Sequence, residues 1–477
     1  MKTIPEAILN ELTTYGQSHL LKFWDEINPA QRKDLVAEIA AIDWSVIGEL
    51  ISGKSSDTSN LVDVAAMQPP VAVRSDGEGV SWTIQDAIKA GEKALSAGEV
   101  AAVMVAGGQG TRLGFKHPKG MYPIGPISGR SLFQVFADRL RAINRRYEVE
   151  VPLYLMTSEA THAETLRYFS DHEYLGLSPS SVRIFKQGTM PAIDATTGRC
   201  LLSSKSSLAL SPDGHGGTLA ALENSGSLND ARLRGIKHLA YIQVDNPLAQ
   251  LCDPALLGHH LLAKSEMTTQ VVKKRYPLER VGNVVRVGDR VHIVEYSDLP
   301  ESIAQQTGSD GELRFWAGNI AVHILDLHFL DRCLGQVTAL PFHRALKAVE
   351  HLDAEGAQVK PDEPNAIKFE RFIFDLLPRA ENALVVEAKP ELAFAPVKNA
   401  TGSEVDTPEL AKQAICKLHR QWLRGAGVKV DETTKIEINP RFALDPSEVA
   451  TRTHELMHIA EDRYFDCESP EKPSNLH

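Results

Sequence analysis

The chain of 477 residues is long enough for two or three units, and its 43% hydrophobic and 24% charged content is ordinary for a globular protein. Against 51 Lys and Arg stand 62 Asp and Glu, and the formal charge of −11 argues against nucleic acid or an anionic membrane as the main partner. Cys200, Cys252, Cys333, Cys416 and Cys467 are scattered without a Cys-x-x-Cys pair, so they read as reduced, mostly buried thiols.

The N-terminus, MKTIPEAILNELTTYG, carries Pro5, Glu6 and Glu11 where a signal peptide needs an apolar run. No stretch approaches the ~20 apolar residues of a membrane span, and the expected location is cytoplasmic. Residues 5–51 have helical periodicity, with Ile8, Leu12, Leu20, Leu21 and Phe23 on apolar faces. Ser52 to Ser81 reads as a long connector. A helix at Ile84–Ser96 leads into a strand at 100–106, and strands and helices then alternate. The spacing predicts helices over 131–147, 163–169 and 254–264, and strands over 151–157, 182–185 and 239–244. Such alternation implies a mostly parallel sheet covered by helices on both faces. Residues 281–287 and 291–296 read as a hairpin turning at Gly288-Asp289. A helix over 408–424 and a strand over 435–438 suggest a small C-terminal unit. The expected division is therefore 1–99, a helical region with its connector; 100–400, the main domain; and 401–477, the C-terminal unit.

The segment VMVAGGQGTRLGFKHPKGMYP, residues 103–123, stands out because no acidic residue occurs between Glu99 and Asp138. A strand breaking into glycines before a helix lets backbone N–H groups approach an anion. A P-loop needs G-x-x-x-x-G-K-[ST], which is absent. A dinucleotide fingerprint starting at Gly108 puts Leu113 where the last glycine belongs and finds no acid before Asp138. A turn serving topology alone leaves Arg112 and Lys119 unexplained. The reading that absorbs all of them is a nucleotidyltransferase loop, G-G-x-G-T-R followed by P-K. In it Arg112 neutralises charge on a leaving pyrophosphate and Lys119 contacts the phosphates from the other side.

Eight blocks in order, VAGGQGTRLGFKHPKGMYPIG, KQGTMPAID, SPDGHGG, YIQVDNPL, RVHIVEYSDLP, FWAGNIAVH, IKFERFIFD and FAPVKNA, span roughly 100–400. Through them the chain resembles the UDP-sugar pyrophosphorylases, and most closely the eukaryotic-type UDP-N-acetylhexosamine pyrophosphorylases. The resemblance implies an α/β fold of the nucleotide-diphospho-sugar transferase type, with a Rossmann-like, mixed and mostly parallel sheet. It implies that UTP and a sugar 1-phosphate, N-acetylglucosamine 1-phosphate first, give a UDP-sugar and pyrophosphate. It also implies Mg²⁺ or Mn²⁺ as the metal, and no nucleic acid or membrane as partner.

By the same resemblance Val105, Ala106, Gly107 and Gly108 line the uridine site, Gln187 reads the uracil edge and Gly214 lies close to the nucleotide. Asp245 follows an apolar strand, where ligands bind in open α/β sheets, and as a hard carboxylate it suits a metal on phosphate oxygens. Glu295, Tyr296 and Asn319 match positions that hold sugar hydroxyls. Lys368 and Lys398 match phosphate-contacting lysines, and Arg112, Lys119 and Lys398 form the expected catalytic set. One position departs from the pattern. The acetylhexosamine enzymes read D-G-N-G-G where this chain has Asp213-Gly214-His215-Gly216-Gly217. A histidine there is similar to the G-H-G-D loop of UDP-glucose pyrophosphorylases. His215 is thus a candidate sugar-selectivity residue, and a UDP-glucose or broad-specificity enzyme is the alternative. A catalytically silent nucleotide binder is the more distant one, since a pure binder does not need these lysines, the arginine and the aspartate together.

Residues 454–458, HELMH, fit the zinc-protease string H-E-x-x-H. Neither the metzincin continuation nor room for a distant third ligand follows. His454 and His458 are expected as surface or packing residues on a terminal helix.

Overall fold

Val100–Val105, a run of small and apolar residues, forms strand β1 at the heart of a nine-stranded sheet. The computed structural model describes residues 3–53, 62–334 and 340–467. The other strands are β2 Leu153–Thr157, β3 Val182–Lys186, β4 His238–Gln243, β5 Met267–Lys273, β6 Asn283–Val287, β7 Arg290–Val294, β8 Ala317–Asp326 and β9 Ala383–Ala388. Their order is β7-β6-β8-β4-β1-β2-β3, with β5 pairing β8 and β9. The segment β4-β1-β2-β3 is parallel throughout, whereas β8 runs antiparallel to β4 and β6-β7 is an antiparallel hairpin. The sheet is therefore mixed, as expected. Parallel strands buried on both faces explain why β1, β2 and β4 read as continuous apolar runs.

The helices begin where side-chain chemistry starts them. In the Ile84–Ser96 helix, Thr83 and Asp86 form a reciprocal capping box. Ser131 accepts from Gln134 N–H at the start of the Leu132–Tyr147 helix, whose Leu132, Phe133, Phe136, Leu140 and Ile143 pack into the core with Met104, Leu155 and Ile242. The expected connector is partly sheet-bound. Gln68 exchanges backbone hydrogen bonds with Arg286 of β6, and Val73 does so with Val385 and Glu387 of β9.

The chain forms two compact units, each of three segments: Met1–Leu61, Gln187–Thr218 and Thr338–Asp375 in the smaller, and Val62–Lys186, Leu219–Val337 and Leu376–His477 in the larger. This division cuts across the one expected from sequence. In the smaller unit, Leu12, Leu35, Ile39, Trp44 and Ile47 of the N-terminal helices share a core with Ile193, Cys200, Leu202 and Phe369. Within the larger unit, residues 423–465 have a core of their own, with Leu423, Val430, Ile436, Ile438, Val449 and Phe465. Glu437 there accepts from the backbone N–H of Ile127 and Ser128, tying this C-terminal part to the turn before the Leu132–Tyr147 helix.

The HELMH segment is not helical. The Pro446–Arg452 helix ends at Thr453, whose hydroxyl donates to the Val449 carbonyl, and His458–Ile459 is a short strand paired with Lys429–Val430. Strand pairing captures these residues, so the two histidines do not share a helical face. Both are exposed, as expected. Cys200, Cys252, Cys333 and Cys416 are buried free thiols, and Cys467 is partly buried. Among the described residues no helix is long and apolar enough to cross a membrane.

Candidate active site

Sheet register sets the first part of the site. Val105 lies beside Gln243, so the chain leaves β1 into Ala106-Gly107 and leaves β4 into Val244-Asp245 at the same carboxyl edge. Because β8 is antiparallel to β4, with His323 opposite Tyr241, its early residue Asn319 points the register toward that edge too. In open α/β sheets this edge is where ligands bind.

The glycine-rich loop is built for close approach. Ser158 Oγ donates to the Gly107 carbonyl at 2.7 Å, and Lys119 N–H donates to the Gly108 carbonyl at 3.0 Å. Gly110 is enclosed, since a Cβ there would lie 2.7 Å from the Phe115 ring and 2.9 Å from the His117 carbonyl oxygen. Gly108 is open, with only Lys119 Cε within reach of an added Cβ, at 3.8 Å. The N–H groups of Gly107 and Gly108 have no protein acceptor among the described residues. Arg112 is exposed on the Thr111–Leu113 turn. The loop thus sets backbone donors and Lys119 beside an open space, with Arg112 exposed on the turn that follows.

Lys119 Nζ lies 3.4 Å from Asp245 Oδ2, both side chains being largely buried. The Asp245 carbonyl accepts from Val397 N–H at 2.8 Å, which brings the next residue, Lys398, to the same place. Backbone N–H groups of Lys398 and Asn399 both donate to the Asp406 carbonyl. Burial pushes the Asp406 carboxyl up, while Lys398 and Arg275 oppose that shift and Glu279 and Asp245 add to it. Arg275 pairs with Glu279 at 2.6 Å and with Asp406 at 3.7 Å. Sequence reasoning missed Asp406 and Arg275, which carry no motif of their own.

Gly282 gathers the expected sugar residues. A Cβ there would lie 2.7 Å from Ile293, 3.4 Å from Glu295 Oε1 and 3.7 Å from Asn319 Cβ. Asn319 N–H donates to the Gly282 carbonyl and Asn319 Oδ1 accepts from Ala321 N–H. With Oδ1 taken by the backbone, the side chain's donor is its Nδ2 group. Two extra residues of β8, Ile320 and Ala321, bulge between the pairs Val271–Asn319 and Gln270–Val322, and Ala321 takes a left-handed φ of 54°. Bulges that re-aim a side chain cluster at functional sites. Tyr296 is exposed beside Glu295.

Gln187, Gly214, His215 and Lys368 belong to the smaller unit. Lys368 is half-buried on the strand Ala366–Glu370, opposite Ala345. Gln187 is buried and precedes Gly188, whose carbonyl accepts from Asp213 N–H. The Asp213-Gly214-His215-Gly216-Gly217 loop grips the chain at Arg371–Ile373. Arg371 N–H donates to the Asp213 carbonyl, Gly216 N–H to the Arg371 carbonyl, and Ile373 N–H to His215 Nδ1 at 3.3 Å. Gly214 has φ 82° and its missing Cβ would lie 2.4 Å from the Arg371 carbonyl oxygen. His215 stacks on Phe372, with centroids 5.2 Å apart, and burial, helped by His343, pulls its pKa down to about 4. With Nδ1 accepting, the neutral ring carries its proton on Nε2. Asp213 is buried and paired with Arg371 Nη2 at 2.8 Å. Both lie inside ordered blocks, SPDGHGG and IKFERFIFD, yet sequence reasoning gave neither a role.

A protein-family model described as UTP–glucose-1-phosphate uridylyltransferase matches residues 54–448. The chain belongs to this family. It is 37% identical over 433 residues to UDP-N-acetylhexosamine pyrophosphorylase-like protein 1 of Xenopus tropicalis, covering 88% of this chain and 84% of that one. It is 34% identical over 453 residues to the UDP-N-acetylglucosamine pyrophosphorylase of Saccharomyces cerevisiae, covering 90% and 93%. The crystal structure of the Trypanosoma brucei UDP-N-acetylglucosamine pyrophosphorylase in complex with an inhibitor superimposes with a TM-score of 0.80 at 25% identity, over 96% of this chain and 99% of that one. The expected family and fold class hold.

Proposed function

We propose that the chain is a UTP-dependent uridylyltransferase that converts N-acetylglucosamine 1-phosphate and UTP to UDP-N-acetylglucosamine and pyrophosphate. The observation that carries this reading is the convergence of Lys119, Asp245 and Lys398 beside an open glycine loop, in a chain that covers most of its pyrophosphorylase relatives. A sugar-phosphate oxygen attacks the α-phosphorus of UTP and the P–O bond to pyrophosphate breaks. Such transfer needs positioning and charge neutralisation more than acid–base chemistry. Free N–H groups at Gly107 and Gly108 suit the nucleotide, with Val105 and Ala106 shaping the approach. Arg112 and Lys119 act on the charge that develops on the leaving group, and Lys398 on the transferring phosphate. Glu295, Tyr296 and Asn319 hold the sugar. In the smaller unit Gln187 reads uracil, Gly214 lies by the nucleotide and Lys368 contacts phosphate.

Asp245 fits Mg²⁺ or Mn²⁺. Among the described residues no three His, Cys, Asp or Glu side chains form a metal cluster. One carboxylate plus phosphate oxygens and waters is the ordinary donor set for Mg²⁺. When bound, the ion supplies charge neutralisation on the phosphates. The buried free thiols suit the cytoplasm, where we place the reaction.

His215 favours a second activity, with glucose 1-phosphate, as the weaker substrate. Pyrophosphate release measured with UTP over a panel of sugar 1-phosphates tests both statements. N-acetylglucosamine 1-phosphate is expected to lead and glucose 1-phosphate to be measurable. No release with any sugar 1-phosphate overturns the proposal.

A further inference from the structure

Uracil and cytosine differ on the edge a glutamine can read. Uracil offers N3–H and O4, a donor and an acceptor, and cytosine offers the reverse. A glutamine amide serves either base, depending on which way its terminal group is turned. Nothing in glutamine itself fixes that turn.

Beside Gln187 stands a group able to fix it. Antiparallel pairing of Thr189 with Pro212, and the bond from Asp213 N–H to the Gly188 carbonyl at 3.1 Å, bring Asp213 next to the residue after Gln187. The Asp213 side chain is 3% exposed, and Arg371 Nη2 donates to its Oδ2 at 2.8 Å. Two glycines wall it in: a Cβ at Gly188 would lie 2.8 Å from Oδ2, and one at Gly217 would lie 2.1 Å from Oδ1. Arg371 is itself held over the Phe342 ring at 4.7 Å. The carboxylate is thus fixed from behind by an arginine and from the sides by backbone. Its Oδ1 is buried without a fully formed hydrogen bond, which leaves one acceptor unspent. The Gln187 side chain acts on this carboxylate as a donor, working with Arg371 against the upward push of burial on its pKa. An ionised carboxylate only accepts, so the part of the Gln187 amide turned to it is the NH₂ group.

We propose that Asp213, braced by Arg371, is a positioning residue that turns the Gln187 amide so that Oε1 and the remaining N–H face the base, selecting uracil over cytosine. The inference rests on the reading of Gln187 as the base-recognising residue. It also gives a reason for the glycines at 188 and 217, which leave room for the carboxylate.

The test compares kcat/KM for UTP and CTP in pyrophosphate release. Asp213→Asn keeps the shape, but its C=O stays with the Arg371 donor and its NH₂ takes the place of Oδ1, so the Gln187 amide is no longer held with its NH₂ inward and turns its Oε1 to residue 213 instead. The UTP/CTP ratio is expected to narrow at least about tenfold, by a smaller loss with CTP than with UTP. An equal fall with both nucleotides overturns the proposal and leaves Asp213 a structural residue. Should Asp213→Asn not fold, Arg371→Met and Arg371→Lys decide. The ratio is expected to narrow in the first and to hold in the second, and an unchanged ratio in Arg371→Met overturns the proposal. Wild-type enzyme that turns over CTP as well as UTP fails earlier, at the base-reading role of Gln187.

Discussion

At Gly108, in the larger unit, the nearest atom to an added Cβ would be Lys119 Cε at 3.8 Å; at Gly217, in the smaller unit, it would be Asp213 Oδ1 at 2.1 Å. Both residues sit in glycine-rich runs that look alike in sequence. In AGGQGTRLG, one glycine opens onto free space with its N–H unclaimed, and another, Gly110, is packed against Phe115. In DGHGG every glycine is packed: Gly214 and Gly216 against Arg371, and Gly217 against Asp213. The first run leaves space beside its backbone. The second removes space so that its own chain can close on itself. A glycine-rich string alone therefore does not announce a phosphate site; what stands in the place of the missing Cβ decides.

The largest expected effect lies beside the open loop. On the roles proposed for them, Arg112→Ala and Lys398→Ala remove charge that acts on the transition state, and kcat is then expected to fall on the order of a hundredfold or more, with a smaller change in KM. Steady-state kinetics in both substrates check this, and near-normal kcat in both variants would mean that the loop faces a ligand without serving its chemistry.

A matched pair of substitutions tests the contrast directly. Gly217→Ala forces a methyl into the Asp213 carboxylate and is expected to destabilise by about 1–3 kcal/mol, the usual range for overpacking. Gly108→Ala meets only a movable lysine tail, so Tm is expected to hold while KM for UTP rises several-fold. Thermal melts and UTP titrations of the two variants would break the comparison if Gly108→Ala melted early and Gly217→Ala did not.

Much of the larger unit was legible because its strands are buried on both faces and its helices carry clear caps. The helix at Ile84–Ser96 matches its expected bounds, and strands β1, β2 and β4 fall within a residue or two of theirs. The smaller unit was less legible. Its strands at Ile193–Asp194, Leu202–Ser204 and Ser207–Leu208 are two or three residues long, too short for any period to show. They also join helices more than a hundred residues earlier in the chain. The same physics explains the site. Lys119 and Asp245 announced themselves by motif, whereas Asp213 before glycines reads as a turn residue until Arg371, 158 positions away, is seen beside it.

The smallest expected effect concerns His215 and sharpens what the closed loop does. Its ring nitrogen Nδ1 accepts from Ile373 N–H, and asparagine Oδ1 can take the same bond. His215→Asn is therefore expected to fold normally at pH 7. The histidine's pKa is near 4 in the folded chain, pulled below its ordinary 6.5 by burial and His343. A depressed pKa means that its contribution is full above 6.5 and is lost as pH falls toward 4, at no more than about 1.4 kcal/mol for each pH unit crossed. His343, which faces it, pairs with Asp375, so that neighbour alone does not reproduce the effect. His260 and His419, both pulled to about 3, keep the rest of the acid sensitivity in place. The drop in Tm between pH 7 and pH 5 should shrink in His215→Asn without vanishing. If the loop also shapes the sugar site, the same variant should raise the preference for N-acetylglucosamine 1-phosphate over glucose 1-phosphate by about 1–3 kcal/mol at most. A changed melting slope with an unchanged sugar ratio would make His215 part of the clamp alone, and would leave selectivity to Glu295, Tyr296 and Asn319.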